Sequence, residues 1–268
     1  MMFDCFQNRL TLTGILTAET AFRIGAGRGT EVVGTDLPVV RDARGRPYIP
    51  GSSFKGALRA YIEALVRAIC PNNKKAACNP VGKKDEWCLE QITEKMTDAR
   101  VEEETCLVCR VFGSPWLASR VSIRDLLSVS QDSYGLFEVR NGVAIDRDTE
   151  TAGANLLYDF EVVPAGSQFD CKIVIENADD WQLGLLMAGL RPFEQGEAVL
   201  GGARSRGLGL VRIDWKERSQ VTSDNLLDFL TGHNVALTWD AEAFQRQRAQ
   251  WLAALKTKLM QYGGQGGA

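Results

Sequence analysis

The stretch that decides the fold is residues 47–69, PYIPGSSFKGALRAYIEALVRAI. Its apolar residues recur at three- and four-residue spacing, the period of one face of an amphipathic helix. These residues are Phe54, Ala57, Leu58, Tyr61, Ile62, Leu65, Val66 and Ile69. Pro50-Gly51 forms a turn before them, and Ser52 or Ser53 is available as the N-cap. We therefore predict a helix from Ser52 with one buried face.

Outward from this helix, the chain alternates between strand and helix patterns. Leucines alternate with threonines from Leu10 to Thr17, which indicates a half-buried strand. Further segments are predicted as strands at Val121–Val129, Leu156–Val163, Phe169–Glu176 and Leu208–Trp215, and as a helix at Asp179–Leu190. This order is typical of an α+β, ferredoxin-like or RNA-recognition fold with large insertions. Residues 224–262 look helical, and the glycine-rich tail 263–268 is predicted to be disordered.

Composition restricts the class of protein. The 268 residues are 45% hydrophobic and 24% charged, as in ordinary globular proteins. The net charge of −3 argues against a protein that coats nucleic acid by overall charge, so any such surface is a local basic patch. Residues 41–60 and 201–213 each contain such a patch. No apolar stretch of about 20 residues or signal-peptide pattern is present, so we expect a cytoplasmic protein without membrane contact.

Five of the seven cysteines fall between residues 70 and 109. A Cys-x-x-Cys pair in a polar segment is typical of a metal site, because the metal supplies order that the segment lacks. Reduced structural thiols and redox chemistry are the alternatives. We predict a structural zinc site with four ligands: Cys78, Cys88, Cys106 and Cys109. Cys70 is the reserve ligand because it ends the predicted helix and precedes Pro71.

Several sequence blocks together resemble a known family. They are DLPVVRD at residues 36–42, PYIPGSSFKG at 47–56 followed by Arg59, CLVCRVFGSP at 106–115, NGVAIDR at 141–147 and GGARSRGLG at 201–209. In this order they resemble the RAMP superfamily, in particular the backbone subunits of type III CRISPR RNA-guided effector complexes. The resemblance covers roughly residues 10–216. It implies a RAMP domain at residues 1–216, with a zinc insertion at about 70–110 and a thumb hairpin at about 130–157. The C-terminal helical extension at 217–262 and the tail follow it.

The resemblance also implies a function, which is to hold CRISPR RNA beside neighbouring subunits and to present target RNA for cleavage. Free N–H groups, hydroxyls and cations at the start of the first helix suit a phosphate, and glycines with arginines at 201–209 suit another. The predicted RNA contacts are Ser52, Ser53, Lys55, Arg59, Arg140, Arg147, Gly202, Arg204 and Arg206. Val143 and Ile145 are the candidate apolar wedges of the thumb. A capped, solvated helix start and an ordinary tight turn are the alternatives for the first two groups.

Catalysis rests on Asp36, which occupies the place of the aspartate that promotes metal-dependent RNA cleavage, with Mg²⁺ or Mn²⁺, in active members of the family. A lone carboxylate builds no complete site, and a turn or a salt bridge is the alternative role. Two other functions stay open. A CRISPR-RNA processing nuclease usually needs a general base such as histidine, and His233 is the sole histidine. The other open function is a protein without catalysis, which either holds guide RNA as a scaffold or assembles with its partners through a zinc-stapled fold without direct RNA contact.

Overall fold

The computed structural model describes residues 4–27, 35–90, 92–129, 137–148, 150–233 and 236–263, apart from the side chains of 144 and 152–156. Its strands are β1 (Asn8–Ala18), β2 (Tyr48–Ile49), β3 (Val121–Ile123), β4 (Leu126–Leu127), β5 (Glu138–Ile145), β6 (Ala152–Val162), β7 (Gln168–Glu176), β8 (Ala198–Val199), β9 (Leu210–Thr222) and β10 (Leu237–Thr238). Its helices are α1 (Gly51–Ile69), α2 (Asp98–Glu104), α3 (Leu107–Phe112), α4 (Asp180–Gln195), α5 (Leu226–Leu230) and α6 (Ala241–Gly263). The part of the predicted tail beyond Gly263 lies outside the described residues.

An antiparallel sheet forms the centre of the fold, with the strand order β10-β9-β1-β7-β3 and with β8 paired to β9. β1 lies between β7 and β9, and its leucines point to the face of the sheet that packs in one buried cluster with α1 and α4. Along the chain, β1-α1-β3-β7-α4-β9 follows the β-α-β-β-α-β order of ferredoxin-like domains. The predicted α+β class is therefore confirmed.

The predicted first helix is observed as α1, one residue longer at its N-terminus. Phe54, Leu58, Ile62 and Val66 are buried along one face, as the spacing predicts. Gly51 begins the helix against the backbone of Ile123 and Arg124, where an added Cβ would collide. Its N–H donates to Asp125 Oδ1 at 2.8 Å, so a carboxylate from another segment caps the helix. The start of α1 is thereby fixed to the chain between β3 and β4.

Several segments differ in extent from the sequence prediction. The predicted strand Val121–Val129 is two short strands, β3 and β4, which belong to different sheets. They separate at Asp125, whose side chain turns to cap α1. The predicted strand ending at Trp215 continues to Thr222, because β1 offers pairing partners as far as Asn8. α4 likewise continues to Gln195, where Gly196 ends it in a left-handed conformation.

The C-terminal segment packs onto the rest of the protein. α6 lies along α4, and Trp239, Phe244 and Trp251 form a cluster with ring centroids 5.8–5.9 Å apart. These three side chains belong to the same buried cluster as β1, α1 and α4. The predicted boundary after residue 216 falls inside β9. No helix among the described residues combines the length and the apolar character that crossing a bilayer requires.

Candidate functional site

The four predicted metal ligands lie together. Cys78, Cys88, Cys106 and Cys109 are buried, and their sulfur atoms all lie within 4.8 Å of one another. α3 begins between the last two, so that Cys109 N–H donates to Cys106 Sγ at 3.4 Å, while Cys78 Sγ lies 3.7 Å from Cys109 Sγ. Cys70 is apart from the group and points at the Leu259 carbonyl oxygen, 3.6 Å away.

The thiol chemistry of this cluster suits a metal cation. Hydrogen bonds from Cys106, Cys109 and Cys88 hold the pKa of Cys78 well below its usual value. The same contacts raise the pKa of Cys109, because its bonds to Cys106 and Cys78 favour the protonated thiol. Four sulfurs bound tetrahedrally at about 2.3 Å from a zinc ion lie about 3.8 Å apart, which is close to the 3.7 Å between Cys78 Sγ and Cys109 Sγ. The four cysteines can therefore hold a metal such as zinc, which would let all four ionise.

One face of α1 lies against the segment that carries these cysteines. Lys55 Nζ donates to Ser119 Oγ at 2.6 Å and to the Val121 carbonyl oxygen at 2.9 Å. Burial lowers the pKa of Lys55, and the charge of Arg59 lowers it further. Arg59 itself donates to Cys109 Sγ at 3.2 Å. Lys55 and Arg59, both predicted RNA contacts, thus donate to protein atoms in this structure, whereas Ser52 and Ser53 are exposed.

Asp36 lies on a second surface, beside β6. Its Oδ2 accepts a hydrogen bond from the Asp159 backbone N–H at 3.2 Å, and its side chain is exposed. The next residue, Leu37, forms a parallel bridge with Phe160, and its carbonyl oxygen accepts from Glu161 N–H at 3.1 Å. The loop that carries Asp36 is therefore aligned along β6 at the base of the β5–β6 hairpin.

Glu161 holds this loop in place. Its carboxylate accepts from Val39 N–H at 3.1 Å, from Arg41 Nη2 at 2.7 Å and from Thr35 Oγ1 at 3.2 Å. Burial alone would raise the pKa of Glu161, but these donors outweigh it and lower the pKa below the usual value of 4.5. The carboxylate is therefore the anchor of residues 35–41.

Replacing Glu161 by Gln is expected to destabilise the protein by about 1–3 kcal/mol at neutral pH, because the charge-assisted bonds are lost. A lowered folded-state pKa stabilises the protein above the unfolded pKa, and that contribution is lost as the pH falls through the folded pKa. Urea unfolding of both proteins across pH 3–7 should therefore show a difference that shrinks below about pH 4.5. A difference that stays constant with pH would contradict this role.

The glycine-rich loop at 201–209 reaches the same surface from the other side. Gly202 N–H donates to the Arg23 carbonyl oxygen at 2.8 Å, which fixes the loop to the segment after β1. A short 3-10 turn presents the exposed Arg204 and Arg206. Arg206 Nη1 donates to Tyr158 Oη at 2.7 Å, and Tyr158 is one residue before Asp159. β6 thus brings the loop arginines and Asp36 to one surface, although they are distant in sequence.

Comparison with known proteins gives a match over the same segments. A sequence profile described as the RAMP superfamily matches residues 15–212 of this chain. The chain belongs to the RAMP superfamily. The match spans β1 through the glycine-rich loop and the first residues of β9, and so includes the cysteine cluster and the Asp36 surface. The family predicted from the sequence blocks is confirmed.

Curated relatives of this RAMP protein carry the name "CRISPR system Cms endoribonuclease Csm3". The one from Methanocaldococcus jannaschii is 29% identical over 219 residues, covering 77% of this chain and 79% of its own. That from Methanothermobacter thermautotrophicus is 29% identical over 236 residues, covering 78% and 84%. That from Mycobacterium tuberculosis is 29% identical over 230 residues, covering 76% and 86%.

The hairpin of this RAMP protein also exposes its predicted contacts. β5 and β6 pair in antiparallel register, with Gly142 opposite Tyr158 so closely that a Cβ would meet the ring. Val143 and Ile145 are exposed, as the wedge prediction requires. Arg147 is exposed, and Arg140 pairs with Glu138 at 3.0 Å in an exposed ion pair. Part of the predicted thumb, residues 130–136, lies outside the described residues.

The sequence analysis missed two residues that organise the Asp36 surface. Glu161 and Tyr158 lie in a segment that was identified only as a strand. Glu161 alternates with the buried Phe160 and Val162, whereas Tyr158 lies on the same face of β6 as those two residues, with its ring centroid 6.0 Å from that of Phe160. A carboxylate inside an apolar strand pattern is a recognisable signal of a paired cation, and Arg41 of the patch at residues 41–60 is that cation. His233, by contrast, lies in the exposed turn after α5 and contacts Thr231 Oγ1 at 3.0 Å.

Proposed function

We propose that this chain is a backbone subunit of a type III CRISPR effector complex that holds CRISPR RNA and cleaves complementary target RNA. The observation that carries this proposal is that three features meet at β6. They are Asp36, the base of the β5–β6 hairpin and the arginines of the glycine-rich loop. The relatives named as CRISPR endoribonucleases support it. Neighbouring subunits and the two RNA strands are the proposed partners, and the cytoplasm is the proposed compartment.

In the proposed role, the exposed guanidinium groups of Arg204 and Arg206 bind phosphates of the RNA backbone. Backbone contacts carry no sequence information, so base pairing with the guide selects the target. Ser52 and Ser53 offer hydroxyls at the start of α1, and Arg140 and Arg147 offer charge on the hairpin. Lys55 and Arg59 stay candidates for the same role, although they bind protein atoms in the structure.

For cleavage, we propose that Asp36 acts at the scissile phosphodiester of the target strand. Its carboxylate is held by Asp159 N–H and is exposed, so it can orient the attacking 2′-hydroxyl or bind a cation. A bound Mg²⁺ or Mn²⁺ would supply charge stabilisation at the phosphate oxygens. Val143 and Ile145 would press the target backbone out of the duplex, which positions the phosphodiester.

The cysteine cluster is proposed to hold a structural zinc ion through Cys78, Cys88, Cys106 and Cys109. A closed set of four thiolates leaves no open position for substrate, as in structural zinc sites. The site's role is therefore to order the insertion against α1.

A salt series tests RNA holding. The pair of substitutions Arg204→Ala and Arg206→Ala is expected to weaken guide RNA binding for every sequence equally. It should reduce the slope of log affinity against log salt by about 1–2, because phosphate contacts release counterions. Filter binding with two unrelated RNA sequences measures both effects.

Arg246→Ala is the matched control, since Arg246 is an exposed arginine on α6 that pairs with Glu242 at 3.9 Å. It should leave affinity and slope unchanged. Loss of binding for one RNA sequence and not the other would contradict the proposal.

One observation favours a second function, a guide-holding scaffold without catalysis. Among the residues that the structure describes, the cysteine cluster is the one group of three or more potential metal ligands, and Asp36 is not part of such a group. A complex that binds matched target with Mg²⁺ or Mn²⁺ and never cuts it would establish the scaffold role.

A further inference from the structure

The charged face of α1 contacts the cysteine insertion through hydrogen bonds. Lys55, Arg59, Glu63 and Arg67 recur every four residues and therefore lie on one side of the helix. Each of the three cations donates to an atom between residues 78 and 121. We call this set of four residues the α1 ladder. Arg59 and Arg67 donate to cysteines of the insertion, whereas Lys55 donates to Ser119 and Val121, which follow it in the chain.

Two arginines of the α1 ladder reach the cysteine cluster. Arg59 Nη2 donates to Cys109 Sγ at 3.2 Å, and Arg59 Nη1 donates to the Gly113 carbonyl oxygen at 3.2 Å. Arg67 Nη1 donates to the Cys78 carbonyl oxygen at 2.9 Å. The ladder therefore contacts one ligand from each half of the metal site.

Glu63 orients the two arginines. Its side chain is only 10% exposed; Oε1 accepts from Arg59 Nε at 2.8 Å, and Oε2 lies 3.8 Å from Arg67 Nη2. A carboxylate buried to this degree requires a charged partner, and its Arg59 bond leaves that guanidinium's terminal nitrogens directed at Gly113 and Cys109. The planar fork of arginine suits such a three-way arrangement, whereas a lysine supplies one point of charge.

We propose that Arg59 is a positioning residue of the metal centre, whose guanidinium offsets the charge of the metal-bound Cys109 thiolate and joins the site to α1. A divalent ion with four thiolates carries a net charge of about −2, which a buried site cannot hold without nearby donors. Hydrogen bonds to metal ligands from outside the coordination sphere contribute to metal affinity. This inference rests on the proposed zinc site and gives Arg59 a role other than direct RNA contact.

The test uses the full-length chain loaded with zinc and challenged with an excess of a chromophoric chelator. Arg59→Gln is expected to release zinc faster or hold it more weakly by about 10–100-fold. Arg59→Lys keeps the charge and one donor, so it should fall between Arg59→Gln and the wild type. After replacement of zinc by Co²⁺, the sulfur-to-cobalt charge-transfer absorption bands of Arg59→Gln should move to longer wavelength. The reason is that Cys109 Sγ no longer accepts a hydrogen bond from the guanidinium.

Arg110→Gln is the matched control. Arg110 lies in the same insertion, and its guanidinium donates to the carbonyl oxygens of Thr105 at 2.9 Å and Glu103 at 3.0 Å rather than to a cysteine sulfur. It should keep the wild-type release rate and cobalt spectrum. Folded Arg59→Gln with wild-type release and bands would overturn the inference. If that variant does not fold, wild-type release and bands in Arg59→Lys overturn it instead. A wild-type chain that binds no zinc would defeat the zinc assignment itself.

Discussion

Replacing Asp36 by Ala or Asn in the assembled complex is expected to reduce metal-dependent cleavage of complementary RNA by at least about a hundredfold. Guide and target affinities should stay nearly unchanged, because the carboxylate acts on charge and alignment during the reaction and adds little to the long backbone contact. Single-turnover cleavage with Mg²⁺ or Mn²⁺, measured beside target binding, separates the two effects.

Asp36→Asn is the sharper variant of the two. Its side-chain oxygen can still accept the hydrogen bond from Asp159 N–H, so the loop position is kept while the charge is removed. Asp228→Asn makes the same change in charge on the exposed face of α5 and should cut like the wild type. Parallel loss of binding and cutting in Asp36→Asn would make Asp36 a structural residue.

Replacing Cys106 by Ser is expected to lower the metal content below about half an ion per chain and to reduce stability by several kcal/mol, since metal binding and folding are coupled. The melting temperature should fall by about 5–10 °C for a domain of this size. Elemental analysis and thermal unfolding, with and without a chelator, measure both. Cys106 also caps α3 through its sulfur, so part of the loss is expected even without metal.

Cys70→Ser is the control for this prediction. Cys70 is buried, but its sulfur faces the Leu259 carbonyl oxygen rather than the cluster. A serine there should keep the full metal content. Full metal content in Cys106→Ser together with loss in Cys70→Ser would show that the ligand set is wrong.

The helices and strands whose apolar pattern is local could be predicted from the sequence alone. The apolar spacing of α1 predicted its buried face because a helix on a core needs that period, and the alternation from Leu10 to Thr17 predicted β1 for the same reason. The cysteines could be grouped because ligand spacing is local in part. The four cysteines that were predicted as ligands therefore lie together in the structure and could hold a metal.

The contacts of individual cations could not be predicted, because they depend on which segments meet. Lys55 and Arg59 were identified as phosphate contacts from their position at a helix start. In the structure Arg59 donates to Cys109 of the cysteine insertion, and Lys55 donates to Ser119, 64 residues later in the chain. The link from Arg206 through Tyr158 to the Asp36 loop also joins segments that no sequence period relates. Whether these residues bind RNA stays a prediction.

The shared core of the C-terminal segment determines how this chain can be shortened. Gly184 of α4 lies against the Trp251 backbone so closely that no side chain fits between them, and Arg248 pairs with Glu194 at 2.6 Å. A truncation after residue 216 would divide β9, uncover an edge of the sheet and leave the α4 surface bare, which favours aggregation. Affinity tags and fusion partners therefore belong after α6, and domain-level expression should start from the whole chain.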